Sequence, residues 1–457
     1  MNLEIGKKLI QNKDYINAKK FFLAELEKGN KSSRLFFFLG FVFFELNDIL
    51  KSITYYNKAL KLDPNSINII LNLANAQYTV GNFETAKKLF LKIIKLDKNN
   101  LRAFYGMSLI SSDIFNNNDF LNYIKNYQKK ELNLHEKSLL NYLLSKKAKN
   151  EKILNLELVY LKRHHDYCFE SNQNFNQQGL FYYDKIISKN FNSVTFYNDD
   201  VKYQEDFFKK ICPIFIIGLP RSGSTLIETL ISSSSSKIVS LGETSIINSS
   251  IINQIKYEIF QKNFNNKKFK FKIDINCLKK EVFSKYECFL EKNQSDKVII
   301  IDKSLENFFN VEIILKLFPN AKFVHGKRNL RDSIVAIYQA MLPTLPWSHS
   351  ILNILKYIDN YIKIVEYFSN RYPDKVLTID LKDLTNDKFN YSKKILSFCD
   401  LEWSKNILEF NKRKSLYIKT LSNSQIRDGI IKYDDKKYTN YENLYSNFFK
   451  IYNWLNV

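Results

Sequence analysis

The chain has 457 residues but only five cysteines, seven prolines, eleven glycines, three methionines and five histidines. Each scarcity closes a route. Cys168, Cys212, Cys277, Cys288 and Cys399 are scattered, with no CxxC pair and no histidine at metal spacing. That excludes a disulfide framework or zinc site and favours reduced thiols. Few glycines and prolines beside abundant Asn, Lys, Ile and Phe reflect an AT-rich coding bias as much as any function. Met1-Asn-Leu-Glu-Ile-Gly-Lys-Lys8 holds no apolar stretch of the signal-peptide kind, and the greasiest run, Leu35–Phe44, is too short to span a bilayer. The expectation is a cytoplasmic protein without a membrane span. The formal net charge is +22, yet no dense Arg/Lys run with interleaved aromatics appears, which argues against nucleic acid. The charge reads as a solvated Lys-rich surface or as a field that steers an anionic ligand.

What the N-terminal part does have is repetition. Ile5, Leu39 and Leu73 correspond at a spacing of 34, as do Gly6, Gly40 and Ala74; Ala18, Ser52 and Ala86; Phe22, Tyr56 and Phe90; and Leu26, Leu60 and Ile94. Small residues recur where two helices approach closely, and large ones where the next unit packs. The pattern resembles the tetratricopeptide repeat, a helix-turn-helix solenoid unit, in three clear copies. A fourth, about residues 100 to 133, is degenerate because Phe120 takes the small position. The resemblance implies an α-solenoid over residues 1–133. It serves either as a concave protein-binding surface, where Asn68, Asn72 and Asn75 lie at helical spacing, or as a scaffold for the next domain. Residues 134–206 read as a helical connector. The adjacent His164 and His165 point about 100° apart in a helix and share no ligand.

From Cys212 the pattern changes. Short apolar runs at Ile214–Ile217, Ile238–Leu241, Val298–Ile301, Phe323–Val324 and Val376–Ile379 alternate with helical stretches at 224–232, 309–318, 331–341 and 388–399. This alternation predicts, for residues 207–457, an α/β domain with a parallel sheet covered on both faces and ligands at the carboxyl ends of its strands. Gly218-Leu-Pro-Arg-Ser-Gly-Ser-Thr225 follows the first run. Strand, small-residue loop and helix N-terminus make an anion cradle, because the first helical amides lack intrahelical partners. Gly218 and Gly223 have the spacing of a nucleotide phosphate loop, with Thr225 in the hydroxyl place. Ser224, however, stands where a nucleoside-triphosphate enzyme needs lysine, and Arg221 brings the charge instead. Gly242-Glu243 places a carboxylate at the end of the second run, suited to accept the proton of an attacking hydroxyl. Asp302-Lys303 closes the third run, and Arg328 and Arg331 follow the fourth.

In this order the pieces resemble the sulfotransferases, specifically a bacterial group joining tetratricopeptide repeats to a domain of the protein-tyrosine sulfotransferase type. Pro220-Arg-Ser-Gly-Ser-Thr225 is similar to the family's 5′-phosphosulfate loop. The resemblance implies a P-loop-type fold in which Arg221, Ser222, Gly223, Ser224 and Thr225 hold 3′-phosphoadenosine 5′-phosphosulfate (PAPS). It makes Glu243 the general base, Lys303 the cation at the leaving phosphate oxygen, with Asp302 orienting it, and Arg328 a two-bond grip on the 3′-phosphate. The family's second 3′-phosphate contact is a serine eight residues after the arginine. Here that position is Ala336, and Ser333, five residues after Arg328, is the expected substitute. Lys419-Thr-Leu-Ser-Asn-Ser-Gln-Ile-Arg427 resembles the family's Thr-x-Ser-x-x-Gln-Val-Arg segment, which implies Ser422 beside the sulfuryl group and Arg427 near the 3′-phosphate. His325 reads as a packed core histidine. No metal is called for. The expected activity is sulfuryl transfer to a hydroxyl or phenol, the acceptor being a polypeptide recruited by the repeats, a saccharide or a small metabolite. A repeat adaptor with an inactive second domain and a kinase-like P-loop enzyme are the rival readings.

Overall fold

The computed structural model describes residues 3–127, 131–198, 205–235, 237–261, 272–290, 298–413, 416–420 and 422–456. It divides into two compact units, Met1–Ser171 with Asn411–Asp428, and Asn172–Phe410 with Gly429–Val457.

In the first unit the repeats appear as helix pairs, Glu4–Gln11 with Tyr15–Glu27, Ser33–Glu45 with Ile49–Leu62, and Ile67–Thr79 with Phe83–Leu96. Each pair turns through a left-handed residue at the same 34-residue interval: Lys13 (φ 58°), Asn47 (φ 61°) and Gly81 (φ 83°). Asp14 and Asp48 then cap the second helix by accepting from the amides of Asn17 and Lys51. The small positions are small for a steric reason. A Cβ on Gly6 would fall 2.3 Å from the Phe22 ring, and one on Gly40 2.5 Å from the Tyr56 ring. In the fourth unit the first helix is cut to Leu101–Ile110, and a 3₁₀ turn, Ser112–Asn116, replaces the left-handed residue. Phe120 is fully buried there, with its ring 5.2 Å from that of Phe104.

The expected connector does not form one element. Helices Leu134–Asn150 and Leu154–Ser171 pack on each other in the first unit, where the Ser138 hydroxyl meets Nδ1 of His164 at 2.9 Å. Residues from Asn172 onward belong to the second unit. The reason is periodic: Leu140, Leu143, Leu144 and Leu161 give this pair a buried face like those of the repeats.

The second unit contains a two-stranded parallel pair, β1 (Thr195–Tyr197) with β4 (Lys272–Asp274), and a five-stranded parallel sheet. The latter comprises β2 (Ile211–Gly218), β3 (Val239–Gly242), β5 (Val298–Asp302), β6 (Lys322–Lys327) and β7 (Val376–Asp380) in the order β3-β5-β2-β6-β7. β2 is central and buried along nearly its whole length, which explains its unbroken apolar sequence. Phe215 stacks on Phe323 of β6 at 5.4 Å and anchors the core beneath the loop. Gly218 lies opposite Gly326, and Asp302 opposite Phe215 on one side and Gly242 on the other. All strands are parallel, so the segments after β2, β3, β5 and β6 leave the sheet at one carboxyl edge.

Candidate active site at the carboxyl edge

The loop after β2 is held by backbone requirements. Gly218 (φ 144°), Arg221 (φ 67°) and Gly223 (φ 88°) all have positive φ. A Cβ at Gly218 would meet the Gly326 carbonyl oxygen at 2.6 Å, so the close approach of β2 and β6 requires glycine. Arg221 adopts the left-handed region without being glycine, a sparsely populated conformation that costs about 1 kcal/mol or more. The helix Ser224–Ser232 starts from Gly223 with no side-chain cap. Its first amides therefore face outward for an acceptor. Ser224 and Thr225 are buried at this entrance. The Ser222 hydroxyl instead turns inward between Gly218 and Gly326, buried and without a hydrogen-bond partner among the described residues. Its backbone is what it presents to the cradle.

Two strand ends bring a charged cluster together. Nζ of Lys303, just past β5, lies 2.6 Å from Oε1 of Glu243, just past β3, and 3.5 Å from Oε2 of Glu228 on the helix that follows the loop. Lys303 is 1% exposed and Glu228 15%, whereas Glu243 is 55% exposed and open to an incoming group. Burial works against the Lys303 ammonium, but Glu228 and then Glu243 outweigh it and raise its pKa above the ordinary lysine value. The Ser240 hydroxyl fixes Glu228 from the other side, donating to Oε1 at 2.5 Å. Asp302 does not orient the lysine as expected. It accepts from Tyr286 at 2.8 Å, from Thr244 at 3.4 Å and from the Ser304 amide at 2.9 Å, so it ties the loops after β3 and β5 together. Burial raises its pKa against those bonds.

After β6, Arg328 is nearly buried. Its Nη1 donates to the Arg221 carbonyl at 3.0 Å and its Nε to the Tyr433 hydroxyl at 3.2 Å. Asp332 stands 3.7 Å away, and the guanidinium covers the rings of Tyr433 and Tyr438. Arg328 is thus joined to the anion loop itself. Ser333 is a correction: fully buried, it donates to the Asn329 carbonyl at 2.9 Å and presents no surface to a phosphate. His325 bonds Thr378 and Tyr361, and burial pushes its pKa down to about 3.

Ser422 and Arg427 are the two expected donor contacts that come from outside the second unit's own chain segments. Both belong to the first unit. The Arg427 guanidinium donates to the carbonyls of Thr79 and Leu416 and to Asn423, and lies over the Phe83 ring. Asn423 donates to the Tyr78 carbonyl at 2.6 Å, and Lys419 to that of Phe44. The carbonyls of Phe44, Tyr78 and Thr79 lie in the last turns of helices Ser33–Glu45 and Ile67–Thr79, where the backbone has no partner one turn further on and favours cations. Ser422 starts the short helix Asn423–Arg427.

Sequence reasoning missed Glu228, Glu306 and Tyr433. Glu228 had a signal, since a carboxylate one helical turn past an anion cradle demands a neutralising cation. Tyr433 had none, lying 105 residues beyond Arg328. Glu306 accepts from Tyr183 at 2.7 Å and from Asn248 at 3.2 Å, and burial raises its pKa. Tyr183 also lines a cavity of about 210 Å³ with Leu180, Lys185, Trp347, Tyr357 and Asn360. Among the described residues no cluster of His, Cys, Asp or Glu is arranged to hold a metal ion, and no helix is long and apolar enough to cross a membrane.

Comparison with known proteins matches residues 213–405 to the Sulfotransferase family, residues 40–81 to a TPR repeat and residues 67–100 to a tetratricopeptide repeat. An uncharacterized protein of Aquifex aeolicus is 31% identical over 237 residues, covering 50% of this chain and 31% of its own. The chain therefore spans about a third of that relative's length. The sulfotransferase domain of the Synechococcus PCC 7002 olefin synthase aligns at 17% identity and a TM-score of 0.29, covering 44% of this chain and 78% of its own. A sulfotransferase of Mycobacterium tuberculosis H37Rv aligns at 13% identity and a TM-score of 0.29, covering 74% of this chain and 97% of its own.

Proposed function

We propose, for a chain that carries tetratricopeptide repeats and, over residues 213–405, a domain of the sulfotransferase family, that it moves the sulfuryl group of PAPS to a hydroxyl or phenol. The supporting observation is the 2.6 Å pair of Lys303 and Glu243 at the strand edge that also carries the uncapped loop. In this reading Arg221 and the backbone of Ser222, Gly223, Ser224 and Thr225 hold the 5′-phosphosulfate. Arg328, already bonded to the loop, trades its contact with Asp332 for the 3′-phosphate. Glu243 takes the proton of the acceptor hydroxyl, whose oxygen attacks sulfur. The electron pair of the breaking S–O bond stays on the phosphate oxygen, next to the Lys303 ammonium. Positioning and electrostatics supply the catalysis.

The acceptor is a hydroxyl compound, and a polypeptide held by the repeats is one candidate. Asn68 and Asn75 are exposed, while Asn72 donates to the Asn68 carbonyl within its own helix. The reading is tested by calorimetric titration with 3′,5′-ADP against ATP-magnesium, followed by transfer of radiolabelled sulfate from PAPS to an acceptor panel. Glu243→Ala is expected to keep 3′,5′-ADP affinity and to lower turnover about a hundredfold or more. Unchanged turnover removes Glu243 from its role, and binding of ATP-magnesium in place of 3′,5′-ADP replaces the reading with a kinase-like one. The adaptor reading draws on Ser333, whose burial leaves the 3′-phosphate side to Arg328.

A further inference from the structure

Lys303 faces two carboxylates, and the two are not equivalent. Glu243 is mostly open to solvent, whereas Glu228 is largely enclosed and pinned at both oxygens, one by the Ser240 hydroxyl at 2.5 Å and the other by the lysine at 3.5 Å. Three elements meet here: Glu228 comes from the helix after the anion loop, Ser240 from β3 and Lys303 from the end of β5. Charge arithmetic sets the problem. A carboxylate that accepts the acceptor's proton becomes neutral, and its hold on the ammonium weakens at the moment when that ammonium must stand firm beside the leaving oxygen. A buried ammonium with no remaining counterion tends to shed its proton.

We propose that Glu228 is a positioning residue, the permanent counterion that keeps Lys303 charged and in place while Glu243 releases it and takes the acceptor proton. This rests on the sulfuryl-transfer reading above. The bookkeeping balances: the O–H bond of the acceptor breaks and one forms on Glu243, the S–O bond to the phosphate breaks and one to the acceptor forms. Glu228 gains and loses no proton. Enclosure also leaves its attraction for the lysine far less screened by solvent than that of Glu243, although it is the more distant of the two. The other charged groups nearby are engaged elsewhere, Asp302 with Tyr286, Thr244 and the Ser304 amide, and Glu306 with Tyr183 and Asn248.

The test reads the lysine directly. In protein labelled with ¹³C at the lysine Cε, the Lys303 resonance, assigned by its loss in Lys303→Met, is followed from about pH 7 to about pH 11. In the wild type and in Glu243→Gln it should keep its ammonium shift across the range. In Glu228→Gln it should titrate within it, displaced by at least about one pH unit. Glu228→Asp should restore the ammonium shift. In the transfer assay, Glu228→Gln should lower kcat about tenfold or more with the donor KM within about threefold, and bring the alkaline limb of the profile toward neutrality. A Glu228→Gln lysine that behaves as wild type, or a displacement confined to Glu243→Gln, overturns the assignment. If Glu228→Gln does not fold, Ser240→Ala must show a smaller displacement of the same sign, and none there also overturns it. The two readings fail separately. A wild type inert with PAPS whose lysine still answers to Glu228 loses the function and keeps the counterion. An active enzyme whose lysine ignores Glu228 does the reverse.

Discussion

Replacing Lys303 by methionine removes the ammonium at nearly constant volume and tests both the packing and the chemistry. At an effective dielectric near 20, the Coulomb attraction is about 6 kcal/mol to Glu243 at 2.6 Å and about 5 kcal/mol to Glu228 at 3.5 Å, before desolvation of several kcal/mol. Glu243 is 55% exposed, so solvent screening reduces its share to about 1 kcal/mol or less. Glu228, at 15%, keeps more of its own and is left enclosed without a cation. Lys303→Met should therefore cost the second unit roughly 2–4 kcal/mol, a melting shift of about 4–8 °C for a unit of this size. Turnover should fall about 10²–10³-fold, the loss expected when a pre-placed group at a developing negative charge is removed. Thermal melts read the first quantity and single-turnover transfer from radiolabelled PAPS the second. The decisive variant is Glu228→Gln/Lys303→Met, which should melt higher than Lys303→Met alone because the only carboxylate it leaves without the lysine, Glu243, is open to solvent. If the double variant is less stable than either single one, or if Lys303→Met turns over within about threefold of the wild type, the pair is not what holds this corner or drives the reaction.

Two further outcomes follow from particular contacts. Gly81→Ala puts a side chain at φ 83° and a Cβ 2.2 Å from Cζ of Arg427. It should destabilise the first unit by roughly 2–4 kcal/mol and open residues 411–428 to limited proteolysis, and protection equal to the wild type would contradict the contact. His325, with its pKa pushed down to about 3 by burial, makes stability fall with acid. The unfolded chain binds the imidazole proton below about pH 6.5 and the native one only near 3. The contribution is thus complete above pH 6.5 and lost progressively on the way down, by roughly 4–5 kcal/mol at most. Denaturant melts of His325→Gln across that window should be flatter than those of the wild type, and equal slopes would show that the imidazole is not what titrates.

The sequence was most readable where one physical rule acts alone. The 34-residue interval of Gly6, Gly40 and Ala74 against Phe22, Tyr56 and Phe90 marks close helix approaches, and the structure meets it with rings against glycines. The uninterrupted apolar run before Gly218 announces a central strand, and parallel pairing then carries Glu243, Lys303 and Arg328 to one edge whatever the loops between them do. Legibility ended where partners are distant in the chain. Nothing local distinguishes Tyr433 as the group that Arg328 bonds, or Ser333 as a hydroxyl spent on its own helix. The division into compact units was not legible for a related reason. Helical periodicity continues through residues 134–171 without saying which neighbour the helices bury against, and the packing assigns them to the repeats.

The fate of residues 411–428 bears most on how the repeats are understood. This stretch resembles a segment that brings a serine and an arginine to the sulfuryl donor, yet its side chains close helix ends in the repeat unit. Residues before and after it, up to Phe410 and from Gly429, belong to the second unit, so the chain passes from one unit to the other at 171/172, 410/411 and 428/429. Two modules joined by a single linker cross once. With three crossings, the repeat unit is completed by a segment, residues 411–428, that the chain supplies from beyond the sheet strands. The packing agrees, since Tyr417 packs with Ile49, Tyr56 and Leu73. Removing residues 1–133 would leave that tyrosine and three side-chain donors aimed at helix carbonyls, Lys419, Asn423 and Arg427, without partners. A truncated second domain should therefore express poorly or aggregate, even though it retains Arg221, Glu243, Lys303 and Arg328. The carbonyl ends of helices Ser33–Glu45 and Ile67–Thr79 are already occupied by the protein's own chain, which leaves Asn68 and the remaining exposed helix faces as the places where a recruited polypeptide would have to bind.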